Sequence, residues 1–197
     1  MCMTDGSEFI DAQVSRAEVM QRIARFDRLK PLAVQQDGST PLEALDMVFA
    51  RKLLPVIGLA DGTASAINES APIKGAGGIT ITLAYAPPGQ GPLLHAHKAT
   101  YETFTVLEGD FEFRWGEGDD DAVRLSKFDT FSVPPGIYRA FKNVGETDGY
   151  LQVIISGGEH NMHDIHMPGS VATELRGASE ALYEKVKNSG VTFGGES

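Results

Sequence analysis

From residue 79 onward the chain is a series of short β-rich runs, broken by turn clusters and not by helices. "ITITLAYA" alternates strictly, which puts Ile79, Ile81, Leu83 and Tyr85 on one face of a strand. "ETFTVLEG", "DFEFRW", "AVRL", "DTFSVPPG", "YRAFKN" and "YLQVIIS" follow, with "PPGQG", "EGD", "GEGDDD" and "NVGETDG" between them. Parallel strands need long crossovers, usually helical, and these gaps are too short for them. The pattern therefore predicts an antiparallel sandwich or barrel and excludes a βαβ sheet.

The flanks read differently. Ser15 followed by Glu18 is a capping box, and Val19, Ile23 and Phe26 continue at helical spacing toward a stop at Pro31. Thr40-Pro41-Leu42-Glu43 is a second helix start, with Leu42, Leu45 and Phe49 able to share a face. "KLLPVIGL" fits a strand, and Pro55 would favour a sheet edge. After Ser156 comes a histidine-rich stretch, then "SEALYEKVKNSG", a helix with Leu182 and Val186 four apart and Gly190 as C-cap. The expected organisation is an N-terminal appendage over 1–78, a barrel over 79–157, and a histidine-rich segment with a C-terminal helix over 158–197.

A formal net charge of −10 leaves no basic stripe for phosphate and disfavours an anionic membrane surface. The lone cysteine, Cys2, excludes an internal disulfide framework and fits a reducing compartment. The first residues are polar, expected to fray, and lack the basic-then-apolar pattern of a signal peptide. A cytoplasmic protein acting on small molecules or other proteins is the expectation.

The chemistry concentrates in "HAHKATYE", residues 95–102. His95 and His97 are two apart in a β-rich context, so their side chains leave the same face about 7 Å apart at the backbone. Both imidazoles can then reach one ion at about 2.1 Å, and Glu102 on a neighbouring strand can join them. Two histidines and a carboxylate on one side of a metal is the arrangement of non-haem Fe(II) oxygenases. On spacing alone, three polar residues on a surface account for the pattern equally well.

The flanks add a resemblance. Gly89, His95, His97, Glu102 and Gly109 stand at the spacing of the first motif of the cupin superfamily, and Pro134, Gly136 and Asn143 fit the second. The likeness covers about residues 79–157. It implies a small antiparallel jelly-roll barrel, mostly β, whose inward side chains hold a divalent metal. Two positions depart from the family pattern. Arg139 stands where the second motif places a metal-binding histidine, and Phe128 replaces its leading glycine. A guanidinium offers only donors and cannot ligate a metal, so the implied ligand set reduces to His95, His97 and Glu102.

Three outcomes stay open. A three-ligand metal would leave Arg139 to grip a substrate oxygen. Arg139 could instead pair with Glu102, its charge standing in for the ion. Or a histidine from "HNMHDIH" could fold over as a fourth ligand. His160, His163 and His166 otherwise read as a solvated segment or a lid, and His163 with Asp164 makes no catalytic pair, since adjacent residues seldom face each other. "GAGG" at 75–78 precedes a strand, so it is no phosphate loop, and "GEGDDD" reads as a hairpin turn. Phe104, Phe111, Phe113, Trp115, Phe131 and Phe141 are expected mainly in the core, as are Tyr85, Tyr101 and Tyr138.

The leading functional expectation is a metal-dependent enzyme of the quercetin-dioxygenase-like cupins, with Glu102 and Arg139 as catalytic residues. Fe(II) is the favoured cofactor, with Mn(II), Ni(II) or Zn(II) as substitutes. The substrate would be small and anionic or enolisable, because Arg139 is the one obvious cation of the site. Metal-assisted isomerase or lyase chemistry needs the same parts. The alternative is a non-catalytic small-molecule-binding cupin in which Arg139 neutralises Glu102. Family resemblance also implies a homodimer.

Overall fold

The computed structural model describes residues 15–60, 65–75, 77–118, 121–158 and 160–195. The polar N-terminus with Cys2 lies outside them, as do Ala76 of "GAGG" and two aspartates of "GEGDDD". In chain order come α1 (Arg16–Met20), α2 (Leu42–Leu45), β1 (Lys52–Gly58), α3 (Ala66–Ser70), β2 (Ile73–Lys74), β3 (Ile79–Ala86), β4 (Ala96–His97) and β5 (Tyr101–Glu108). These are followed by β6 (Phe111–Trp115), β7 (Asp121–Leu125), β8 (Thr130–Val133), β9 (Arg139–Asn143), β10 (Gly149–Ser156), β11 (Ile165–Met167), α4 (Gly169–Ala178), α5 (Glu180–Asn188) and β12 (Thr192–Phe193).

The structure is mostly β, as the spacing of short runs predicts. A six-stranded sheet in the order β2-β1-β3-β10-β5-β8 faces a three-stranded sheet, β7-β6-β9. Every pairing within them is antiparallel except the two-residue contact of β1 with β2. The layers meet through aromatic rings: Phe104 of the large sheet lies 5.1 Å from Phe113 and 5.6 Å from Phe141 of the small one, at tilted and edge-on angles. Such geometry sets ring edges against ring faces, and each ring excludes water over a large apolar area. β1 extends the large sheet, and Pro55 sits where the short β2 does not cover it, the edge its missing N–H requires.

The alternation of β3 has an instructive polarity. Ile79, Ile81, Leu83 and Tyr85 do share a face, but it is the outer one, and Ile79 is 42% exposed. The inner face carries Thr80, Thr82, Ala84 and Ala86, all buried. Small inward residues leave room inside the barrel, and a cavity occupies that room.

A second core stands at the end of the barrel. Val171, Ala172 and Leu175 of α4 pack with Leu182, Tyr183 and Val186 of α5, and with Leu45, Met167 and Phe193. The C-terminal helix expected from "SEALYEKVKNSG" is α5, capped by Ser179, whose hydroxyl accepts from Leu182 N–H. It is the second of a pair, since α4 precedes it. A small sheet, β12-β11-β4, ties this unit to the strand that carries His97.

The N-terminal helices are shorter than their apolar spacing predicts. The Ser15–Glu18 capping box forms, yet α1 ends after Met20, and Val19, Met20, Ile23 and Phe26 are all exposed. Phe26 meets Tyr150 edge-on at 5.6 Å, and a helix as short as α1 has little stability without tertiary packing. Among the described residues no helix is long and apolar enough to cross a membrane.

Candidate metal centre and cavity

Glu102 stands on the inner face of β5, beside Ile155 of β10, which in turn lies beside Thr80 of β3. His97 belongs to β4, and His95 precedes it in a two-residue bridge with Arg139, each backbone N–H donating to the other's carbonyl at 3.0 and 2.8 Å. Period-two geometry sends both imidazoles the same way. The three residues that the spacing singles out therefore meet: their ligand atoms lie within 4.8 Å of one another, and all three are buried.

The imidazoles are oriented from behind. His95 Nδ1 lies 2.9 Å from the Leu93 carbonyl, which can only accept, so that nitrogen carries the proton. His97 Nδ1 lies 2.9 Å from Asp164 Oδ2, and the Thr100 hydroxyl donates to the same oxygen at 2.5 Å. With the carboxylate thus accepting, His97 also carries its proton on Nδ1. Burial pushes the His97 imidazolium down, favouring the neutral ring, although Asp164 and Glu102 act in the other direction. In the neutral tautomers both Nε2 atoms present lone pairs to Glu102 Oε2, at 3.7 and 3.8 Å.

Three acceptors facing one another in a buried space repel unless a cation lies between them. Two bonds of about 2.1 Å can bridge such separations. A histidine whose far nitrogen is held by a carboxylate or a carbonyl is the usual outer support of a metal ligand. The residues present fit a divalent ion.

Asp164 is the residue that sequence reasoning missed. Besides His97 and Thr100 it accepts from the Ala99 N–H at 2.6 Å, and its own carbonyl accepts from Lys98 N–H. Burial raises its carboxyl, but the hydrogen bonds from His97, Thr100 and Ala99 outweigh that and bring it down to about 2. It and His163 do point apart: the His163 ring packs against Gly190, while Asp164 reaches back to β4. The local signal was slight, a single aspartate in "MHDIHM", because its partners lie more than sixty residues earlier.

Of the two roles open to Arg139, gripping a substrate or pairing with Glu102, the second contact is the one present. Arg139 is 1% exposed, is not part of the cavity wall, and is engaged with Glu102. Its Nε donates to Glu102 Oε2 at 2.8 Å, and Nη2 lies 2.7 Å from the same oxygen without directing an N–H at any acceptor. Burial pushes the Glu102 carboxyl up, yet the charge of Arg139, with His95 and His97, holds it well below the usual carboxylate range. The contact named for the metal-free alternative is thus present, on the flank of Glu102.

Above the three ligands opens a cavity of about 320 Å³. Its walls come from both cores: Phe141 and Val153 from the barrel, Met167 and Val186 from the helical unit, Val48 and Phe49 from the N-terminal segment. Tyr85, Tyr101, Tyr138 and Trp115 are not part of it. Of the post-barrel histidines, His160 lines the cavity, whereas His166 lies beside Tyr138 and contacts Thr192. His160 is not among the three clustered ligands.

Phe128 and Asn143 explain two further motif positions. Phe128 has φ +75° and is exposed, so it holds the left-handed backbone a glycine would adopt without strain. Asn143 is fully buried, its amide donating to the Ala86 and Thr147 carbonyls and accepting from Gly145 N–H, so it pins a corner and touches no ligand.

Comparison with known proteins gives partial matches. No curated protein matches the chain. Among solved structures, the Cnp3 cupin domain of Schizosaccharomyces pombe is 22% identical over 44% of this chain and 61% of its own length, with a TM-score of 0.40. A predicted oxalate decarboxylase from Thermotoga maritima is 23% identical over 40% and 66%, TM-score 0.37. KdgF from Halomonas sp. is 22% identical over 42% and 72%, TM-score 0.38. The chain covers 61% and 66% of the lengths of the Cnp3 and Thermotoga chains, less than two thirds of each. Residues 82–163, which contain the two histidines and the glutamate, match the family described as Cupin domain.

Proposed function

We propose that this protein is a metal-dependent enzyme that binds a divalent ion through His95, His97 and Glu102 and acts on a small molecule in the cavity above them. The observation that carries this reading is the double anchoring of the imidazoles. Leu93 O and Asp164 hold the Nδ1 atoms, so both Nε2 lone pairs converge on the Glu102 carboxylate.

A bound Fe(II) would supply Lewis acidity and access to dioxygen, with Mn(II), Ni(II) or Zn(II) supplying the Lewis acidity alone. The chain's own residues supply the rest. Asp164 and Leu93 O orient the histidines by accepting from their Nδ1 atoms. Arg139 fixes Glu102 and keeps it ionised. The apolar walls exclude water and select a ligand with an apolar body. Dioxygenase chemistry is the preferred reaction, and isomerase or lyase chemistry would use the same parts.

A second reading is favoured by the Arg139–Glu102 pair: a non-catalytic binding protein in which Arg139 is the resident cation. Elemental analysis of protein purified without added metal or chelator separates the two. Close to one equivalent of a transition metal, lost in His95→Ala with the fold retained, is expected; a site that takes up no supplied metal would sink the enzyme reading. Arg139→Met sharpens this. Stranding a buried carboxylate costs about 3–5 kcal/mol, and added Zn(II) should restore most of the loss if an ion sits at Glu102, but none if Arg139 is the only cation there.

A further inference from the structure

Burial usually forces polar atoms to find partners. His160 Nε2 is buried in the cavity wall without one. Its ring is held only loosely, with Nδ1 at 3.4 Å from the Thr80 hydroxyl. Thr80, Ile155 and Glu102 form one row across β3, β10 and β5. Adjacent strands are about 4.8 Å apart, so Thr80 stands about 10 Å from Glu102 at the backbone. The cavity thus has a polar point at each end of that row and apolar side chains such as Val153, Phe141 and Val48 around it.

We propose that His160 is the second polar anchor of the cavity. Its ligand is then a molecule about the size of one substituted ring, with an oxygen head for the His95–His97–Glu102 end and a hydroxyl for His160 Nε2. The inference rests on the metal reading for the head group only. Imidazole nitrogen is a donor in one tautomer and an acceptor in the other, so a hydroxyl can meet it in either. A methyl group in the same place leaves the nitrogen unpaired. A site built to pair a hydroxyl discriminates strongly against the analogue that lacks it.

The test uses zinc-loaded full-length protein, with zinc content measured first, and titration calorimetry of benzoate, 4-methylbenzoate, and 3- and 4-hydroxybenzoate. At least one hydroxybenzoate should bind about tenfold tighter than 4-methylbenzoate. In His160→Leu that ratio should fall to about one while benzoate affinity is kept, and His160→Gln should retain part of the preference. An unchanged ratio in the leucine variant, no preference in the unmodified protein, or no binding by any of the probes would overturn the proposal. Phenol against toluene is the control without a metal-binding head. A phenol preference that depends on His160 in protein unable to hold zinc would keep the anchor and discard the metal reading.

Discussion

The barrel core and the helical core relate to their sequences in opposite ways. In the barrel, Phe104, Phe111 and Phe113 lie on inward rows set by the period of two within each strand, although apart from the β6–β7 hairpin the strands that pair with theirs are distant in sequence. In the helical unit, Leu45 from α2 meets Leu175 and Tyr183 from segments more than a hundred residues later. The inward rows of the first can be read locally, while the members of the second show as a core only after the chain has returned on itself. The candidate centre lies at their junction: its ligands belong to the barrel segment, and the support for His97 comes from the segment that leads into the helices.

The most disruptive test of this comparison removes one large side chain from each core. Phe113→Ala should cost about 3–5 kcal/mol and Leu175→Ala about 2–5 kcal/mol in denaturant unfolding. The difference should appear in metal uptake: the phenylalanine variant weakens the sheet packing around the ligands, while the leucine variant keeps all three. Equal loss of metal in both would mean that the two cores unfold as a single cooperative unit.

Asp164→Asn probes the junction itself. The amide cannot accept as a carboxylate does, so His97 loses its fixed tautomer. Metal affinity should fall about 10–100-fold, measured by competition with a chelator, with little change in the circular dichroism spectrum. A variant that loses fold and metal together would make Asp164 a packing residue.

The smallest effect concerns the barrel alone. Phe128→Gly removes a bulky residue from positive φ, where a left-handed L-residue costs about 1–2 kcal/mol, partly offset by the greater freedom of glycine in the unfolded chain. A gain of about 1 kcal/mol in thermal unfolding is expected; a loss would show that the exposed ring is held by a contact outside this chain.

His95, His97 and Glu102 were legible because a strand's period of two and a short connection leave few ways to arrange them. The capping box at Ser15 and the helix through Leu182 and Val186 were legible for the same reason, since both depend on neighbours within one or two turns. The inward face of β3 was not legible. Its alternation reveals two faces, and a rule that buries the larger apolar row fails where the interior must hold a cavity.

By itself, then, the sequence determined the β-rich class and the three candidate ligands, both consequences of short-range geometry. Only the tertiary structure decided that Arg139 turns to Glu102, that Asp164 supports His97, and that His160 faces the cavity. The first depends on which way a buried guanidinium points. The other two depend on where a returning segment lands. Neither is encoded in local periodicity, because the energies that settle them come from contacts between residues far apart in the chain.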